Sequence, residues 1–402
     1  VFQNESEEKM KILMIAPQPF FQPRGTPFSV LGRLKALSEL GHQVDLLTYH
    51  IGKDVDLPNV QIIRIPSVPF IKKIKVGPSL AKIPVDALLF WLAIKKLKAQ
   101  KYDLLHTHEE AGFMGILLKS WFGIPHLYDM HSSLPQQLVN FRFSRSRLLH
   151  AIFSWLEQKT IESADGVITI CPDLYNYVEQ HFEAKNHILI ENVVDYSQIF
   201  GVNGKTDFPV FVDPDLEKKV KVVYVGTFEP YQGIDLLIDG ADRVIARVPD
   251  AHFILVGGRE DQVQQYRERI RARGLSAHFT LTGSVSPAVA HRFTEFADIL
   301  VSPRISGNNT PLKIYSYLRS GKPVIATRHI THTQVLDDRV AILTEPEPEA
   351  FAAGIVEAIT DAEKRRKIVE NARRLAEEKY SYRVYLNKIR QLIDNITKQA
   401  GT

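Results

Sequence analysis

The 402-residue sequence predicts an α/β protein built from two doubly wound parallel sheets, and three observations carry that prediction. Short β-branched or apolar runs alternate with longer helical patterns from Lys11 onward, the strand and helix alternation of a parallel sheet. The expected strands are near-continuous apolar runs, as they must be when helices cover both sheet faces. The alternation breaks once, at the Gly-, Pro- and charge-rich stretch 201–219, and restarts at Lys221; this marks a domain boundary. A single eight-stranded βα barrel explains neither the break nor the strand count above eight.

In the first half, strands are expected at Lys11–Ala16, Val44–Thr48, Val60–Ile65, Asp103–His108, His126–Met130, Gly166–Ile170 and His187–Val193. Each is too short to be a helix, and most are rich in Val, Ile and Leu. Longer helical patterns fall near Phe28–Leu40, Val85–Ala99, Gly112–Trp121, Leu148–Ser163 and Asp173–Phe182. The second half repeats the scheme, with strands at Lys221–Thr227, His252–Val256, Phe279–Thr282, Ile299–Ser302, Val324–Thr327 and Ala341–Leu343. Its helices are expected at Ile234–Arg247, Gln262–Arg273, about Pro311 to Arg319, and in three consecutive stretches ending at Thr397. The expected domains are 10–200 and 220–375, joined by the linker 201–219, with a last helix in 376–402 packing back on the first domain. Ligands of such sheets bind beyond the carboxyl ends of the strands, so two facing domains are expected to form a cleft between them.

Composition narrows the class. Apolar residues at 45% and charged residues at 24% exclude wholesale disorder. The single cysteine, Cys171, excludes an internal disulfide, and a cytoplasmic setting is the expectation. The longest apolar runs, Ala87–Ile94 and Ala111–Leu118, fall far short of the roughly 20 residues that span a bilayer. Residues 1–9 read as a disordered lead. A net charge of +4 is too mild to argue for nucleic acid, but it is unevenly spread. Residues 71–101 hold Lys72, Lys73, Lys75, Lys82, Lys95, Lys96, Lys98 and Lys101 against Asp86 alone.

The first strand-to-helix loop, Ala16–Phe28, is long and carries Gly25 and Thr26 just ahead of the expected helix, a place where backbone N–H groups can meet a phosphate. It lacks both the G-x-G-x-x-G spacing of a dinucleotide fold and a Walker lysine. His106, His108 and His131 lie at strand ends. No carboxylate is spaced to complete a metal site with them, so none is expected. Asp54-Val-Asp56 and Asp213-Pro-Asp215 read as solvated turns. The most informative stretch is Ser302–Thr327: a strand end, a Gly-Asn-Asn loop, a helix with Pro311 in its first turn, and a following strand. Proline is favoured there, and the free N–H groups of an opening turn at Thr310–Leu312 are natural partners of a diphosphate.

This segment, ending in Gly-Lys-Pro-Val-Ile-Ala-Thr, resembles the donor-site motif of the family 4 retaining glycosyltransferases of the GT-B fold (glycosyl transferases group 1). The resemblance extends along nearly the whole chain from Met10. It includes Gly41, His42 and Val44 after the first helix, the Tyr102–His108 strand, the strand ending at His131 and Ala164-Asp165. It continues through Glu191–Asp195 and Val225–Asp235. Four charged positions usual in the family are neutral here: Thr227, Gln232, Asn308 and Ser316. A nucleotide diphosphate brings about two negative charges that cannot be buried uncompensated. Arg304 and Lys313 are the residues expected to restore the balance.

The resemblance implies transfer of a sugar, with retention, from a nucleotide diphosphate sugar to a hydroxyl of a lipid-linked or polysaccharide acceptor, without metal or other cofactor. Uridine diphosphate is the expected carrier. The departing phosphate would take the acceptor proton, and donors prearranged around it would lower the barrier. By motif position His131 would meet the donor sugar, with Glu109 and His108 on the acceptor side. Gly25, Thr26, Thr227, Gln232, Gly258, Val285, Arg304, Asn308, Asn309, Thr310, Pro311, Leu312, Lys313 and Ser316 would line the donor. Leu88–Lys98 and Phe141–Trp155 interleave cations with bulky apolar residues, so peripheral attachment to an anionic membrane, on its inner face, is expected. Against it stands a reading with Trp91 and Trp155 in the core. Other readings are a nucleotide-sugar 2-epimerase, a zinc hydrolase using His106, His108 and His131, and a non-catalytic sugar-nucleotide binder.

Overall fold

The computed structural model describes residues 9–22, 25–71, 74, 79, 82–136, 146–193 and 214–400. The lead 1–8, Lys72, Lys73, Lys75, Phe141–Arg145, Asp195, Asp213 and linker residues 201–213 lie outside them. The chain divides into two compact units, Val1–Asn192 with Tyr385–Thr402, and Val193–Val384.

The first unit holds a seven-stranded parallel sheet: β1 (Lys11–Ala16), β2 (Gln43–Thr48), β3 (Val60–Arg64), β4 (Leu104–His108), β5 (His126–Met130), β6 (Gly166–Thr169) and β7 (His187–Leu189). Their order is β3-β2-β1-β4-β5-β6-β7. Helices α1 (Gly25–Glu39), α2 (Lys82–Ala99), α3 (Ala111–Phe122), α4 (Arg147–Ser163) and α5 (Pro172–His181) fill the connections. Every residue of β4, β5 and β6 is buried, as expected of parallel strands covered by helices on both faces, although β4 and β5 carry His106, His108, His126 and Asp129. Ser146 caps α4, its Oγ accepting from the Leu149 N–H at 3.3 Å, and Gly123 at φ 61° stops α3 because a left-handed residue ends a helix without steric cost.

The second unit repeats the plan with six strands: β8 (Val220–Val225), β9 (Ala251–Val256), β10 (Phe279–Gly283), β11 (Ile299–Ser302), β12 (Val324–Thr327) and β13 (Ile342–Thr344). The order is β10-β9-β8-β11-β12-β13, the same winding as in the first unit. Its helices are α6 (Ile234–Arg247), α7 (Glu260–Ala272), α8 (Pro287–Phe296), α9 (Lys313–Arg319), α10 (Ile330–Thr333), α11 (Pro348–Thr360) and α12 (Ala362–Lys379). The last helix, α13 (Tyr382–Ala400), joins the first unit from Tyr385. There Ile396 lies over Gly166, and Lys388 donates to the Leu189 carbonyl and pairs with Glu191, both at 2.8 Å.

Three sequence expectations change. Helix α1 begins at Gly25 rather than Phe28, so Gly25 and Thr26 open the helix instead of preceding it. Helix α9 begins at Lys313: Pro311 closes a single turn, its carbonyl accepting from the Ile314 N–H at 3.0 Å, so Thr310–Leu312 lies ahead of the helix. Helix α8 was not expected, because His291 and Arg292 interrupt its apolar spacing. Ser286 at its N-cap and Pro287 in its first turn are the signals that mark it.

Close packing of α3 on the sheet depends on a missing side chain. A Cβ on Gly112 would lie 2.6 Å from a Tyr128 ring carbon and 2.8 Å from the Thr160 methyl, and both neighbours are fully buried. Gly112→Ala is therefore expected to destabilise the first unit by about 1–3 kcal/mol, the usual range for overpacking. Chemical denaturation checks it; an unchanged midpoint would show that α3 can shift freely.

Candidate functional site

In both units the strand order reverses at the centre, between β1 and β4 and between β8 and β11. Loops leaving the carboxyl ends of these pairs diverge to opposite faces and leave a crevice, the preferred ligand position of a doubly wound sheet.

At the second-unit crevice, β8 runs into Gly226 and Thr227, β9 into Gly257 and Gly258, and β11 into Pro303 and Arg304. Lys313 reaches into it from the start of α9. Its Nζ lies 3.7 Å from the ring centroid of Tyr224 and 3.2 Å from where a Cβ on Gly226 would stand. That nitrogen is shielded from solvent and has no hydrogen-bond partner among the described residues. A cation over an aromatic face gains roughly 0.5–2 kcal/mol, whereas an uncompensated buried ammonium costs several kcal/mol. The second effect is larger, and burial, reinforced by the Arg304 charge, holds the Lys313 amine well below the usual lysine range. Arg304 stacks its guanidinium 5.0 Å over Tyr231 and donates from Nε to the Ser306 carbonyl at 2.9 Å.

Two more polar atoms here are buried without partners, Thr310 Oγ1 and Gln232 Oε1; Gln232 Nε2 reaches the exposed Thr227 hydroxyl at 3.4 Å. Asn308 is exposed, Asn309 half-buried, Pro311 buried and Leu312 half-buried. Ser316 turns away from the crevice chemistry, donating to the Lys313 carbonyl at 2.8 Å. Gly258, at φ 85°, lets the Phe228 ring lie directly on its backbone, and Val285 is half-buried in the loop after β10.

In the first unit, Thr26 donates to Glu109 at 3.0 Å. Glu109 holds a left-handed backbone, φ 51°, uncommon for a residue of its type. Beside it Lys82 pairs with Glu110 at 2.5 Å and Tyr49 donates to Asp86. Burial, then the neighbouring Glu110 charge, raises the carboxyls of Asp86 and Glu109 to about 7.

Deeper in the sheet, His106, His108, Asp129 and His131 form one buried cluster. Register sets it: His108 stands opposite Asp129 across β4 and β5. Asp129 Oδ2 lies 3.6 Å from His106 Nε2 and 3.7 Å from His108 Nδ1, its Oδ1 lies 3.4 Å from His131 Nε2, and His108 and His131 are 3.0 Å apart. Asp129 is the carboxylate that the sequence reading lacked, and with His106 and His108 it has the donor types of a divalent-cation site. Arg33 already supplies the counter-charge, donating from Nε to Asp129 Oδ2 at 2.8 Å and from Nη2 to the Ile190 carbonyl at 3.1 Å. Its guanidinium lies 5.1 Å from the Tyr385 ring centroid. Arg33, Asp129 and neutral imidazoles sum to zero charge, whereas a dication would leave two uncompensated positive charges in a fully buried place. Burial would raise the Asp129 carboxyl, but Arg33 overrides it and holds it well below its ordinary range.

His108 has no exposed surface, against the expectation that it lines an acceptor; Glu109 is half-buried. Asp54 is an exposed turn aspartate paired with Arg64, and Asp215 is exposed beside Lys218. Trp91 and Trp155 are not core residues: with Trp121 they are 55%, 56% and 58% exposed. Among the described residues no helix is long and apolar enough to cross a membrane.

A family model for Glycosyltransferase Family 4 matches residues 24–198, and one for Glycosyl transferases group 1 matches 210–375. The chain belongs to this glycosyltransferase family. The glycosyltransferase is 23% identical over 374 residues to the phosphatidyl-myo-inositol mannosyltransferase of Mycolicibacterium smegmatis, covering 90% of this chain and 88% of that one. Its fold matches the sucrose-phosphate synthase of Thermosynechococcus elongatus with a TM-score of 0.74 at 20% identity, over 97% of this chain and all of that one. It also matches HepE of Anabaena, solved in complex with UDP, at 0.70 and 18% identity, over 96% and 100%. The fold is GT-B, two Rossmann-like units in one chain.

The buried imidazoles set an acid limit. Burial lowers His126 to about 3 and His131 to about 4, from an ordinary 6.5. The unfolded chain therefore binds protons below pH 6.5 that the fold refuses, and stability falls as pH drops from 6.5 towards 4. Asp86 and Glu109, raised, act in the opposite sense over the same range. His131→Asn removes one titrating imidazole, so its acid-side decline in Tm is expected to be shallower than that of the parent. Parallel declines would show that His131 is already charged in the fold.

Proposed function

We propose that the protein is a retaining hexosyltransferase that moves a sugar from a nucleotide diphosphate, UDP being the expected carrier, to a hydroxyl of a lipid-linked or polysaccharide acceptor. The observation that carries this reading is the enclosed, unpaired Lys313 amine beside Arg304 at the β8/β11 crevice. A diphosphate supplies the charge these two groups lack, and the four neutral positions Thr227, Gln232, Asn308 and Ser316 make them the principal cations of the donor site. Thr310 Oγ1 and Gln232 Oε1, buried without partners, are further hydrogen-bonding groups for the donor. Gly258, Asn309, Pro311, Leu312 and Val285 shape the nucleotide pocket.

Chemistry follows from charge. Cleavage of the anomeric bond places negative charge on the leaving phosphate, where Lys313 and Arg304 stabilise it. The same phosphate face accepts the acceptor hydroxyl proton, so neither a carboxylate nucleophile nor a metal is required for retention. His131 contacts the transferred sugar, and Glu109, aimed by Thr26, orients the acceptor. Removal of a cation that contacts the diphosphate in a desolvated pocket costs about 2–5 kcal/mol. Lys313→Ala is expected to weaken UDP binding at least 30-fold by calorimetry, and Arg304→Ala at least tenfold. Unchanged affinity in both would overturn this assignment, and thermal shift with a panel of nucleotide sugars followed by a donor-hydrolysis assay tests the activity.

A lipid-linked acceptor is favoured by the surface of α2, α3 and α4. Ile83 and Trp91, Leu117 and Trp121, and Leu148, Ile152 and Trp155 are all exposed, spaced so that each helix presents one apolar stripe. Trp121 packs against Phe90 at 5.8 Å, and Lys95 lies 5.6 Å over Trp91. Lys95, Lys98 and Arg147 are exposed on these helices, complementing an anionic bilayer rather than a neutral protein surface. In a flotation assay the protein is expected to rise with anionic liposomes at low salt and to be released by Trp91→Ser with Trp155→Ser. No binding at low salt would sink this reading of the acceptor side.

A further inference from the structure

We infer that donor binding is coupled to a proton: Lys313 rests as a neutral amine against Tyr224, and an arriving diphosphate draws its flexible stem outward as the amine takes up one proton from solvent. This rests on the donor-site reading above and adds to it a charge change in the protein itself. The step is R–NH2 plus H⁺ giving R–NH3⁺; no bond to carbon forms or breaks.

The geometry supports it from every side that packs on the amine. From β8 comes the Tyr224 ring, its hydroxyl already committed to the Thr227 carbonyl at 2.7 Å and therefore no anion. From the loop after β11 comes a second cation, Arg304, whose charge bears on Lys313. From α10 comes His332, its ring held by the Ser302 hydroxyl at 2.9 Å and kept neutral, burial lowering it to about 3. From the same helix as Lys313, Tyr317 accepts from the Val225 N–H at 3.0 Å and stays a phenol. Among the described residues no carboxylate pairs with Lys313, and its Nζ has no acceptor. Arginine at this position would keep its charge throughout; lysine is the cation whose ionisation burial can reverse. The two states thus differ in where the amine sits and whether it is charged, and an anion favours one of them.

The test is calorimetric titration with UDP, GDP and ADP in buffers of different ionisation enthalpy at pH 7.5 to 9. The terminal phosphate, with its second pKa near about 6, is fully ionised there and contributes no proton change. The expected result is uptake of one proton per diphosphate bound, with association weakening by up to about tenfold per pH unit as pH rises. Lys313→Arg is expected to retain binding with no proton uptake, and Lys313→Met to bind more weakly, also with none. Buffer-independent heats in the parent, or uptake that persists in Lys313→Arg, would overturn the coupling while leaving the donor site intact. Failure of all three diphosphates to bind the parent would overturn the donor reading and the coupling with it.

Discussion

A parallel strand can join its neighbour only by carrying the chain back across the whole sheet, and the crossover must be wound with one hand. That constraint governs both units of this protein. It gathers every strand-to-helix loop at the carboxyl edge of its sheet, and where the winding reverses, at β1/β4 and β8/β11, the loops part. Gly226, Thr227, Arg304 and Lys313 gather at the second of these partings. The short helix α9 and the glycines after β8 and β9 refine a crevice that the strand order has already made.

The two units handle buried charge in opposite ways. In the first, Arg33 and Asp129 cancel, and three imidazoles stay neutral around them. Such a pair contributes little net stability over an apolar core, but loss of either member leaves an uncompensated ion. In the second unit, among the described residues, no acid pairs with Arg304 or Lys313. Arg304 is held by the Tyr231 ring and a carbonyl, while burial and the Arg304 charge hold the Lys313 amine well below the usual lysine range. A site built to receive an anion carries that electrostatic debt in the folded chain, and stability lost there reappears as affinity.

Much of the fold was legible because strands with both faces buried need unbroken apolar runs. Strands at Ile299–Ser302 and Val324–Thr327 and the helix at Ile234–Arg247 stand where the spacing placed them. Edges near polar residues were less legible: Pro311 suits a first helical turn, yet its carbonyl closes a tight turn ahead of the helix. Site residues divided similarly. Arg304 and Lys313 could be singled out because four neutral positions left a charge deficit around one loop. Arg33 and Asp129 could not, since they lie 96 residues apart and an arginine in an amphipathic helix reads as a solvated one. Trp91 and Trp155 could be read as core or as surface, because an apolar stripe on a helix does not say what covers it.

The placement of α13 has a consequence for how the chain is made. This last segment completes the unit that is translated first, bringing Tyr385 onto Arg33 and Ile396 onto Gly166. During synthesis the leading half emerges without its closing helix and must wait for the entire trailing half before its final buried contacts can form. The trailing unit lies wholly within one continuous span, Val193–Val384, and suffers no such delay. Loss of the α13 residues from Tyr385 onward would therefore harm the unit whose strands lie farthest from them in sequence.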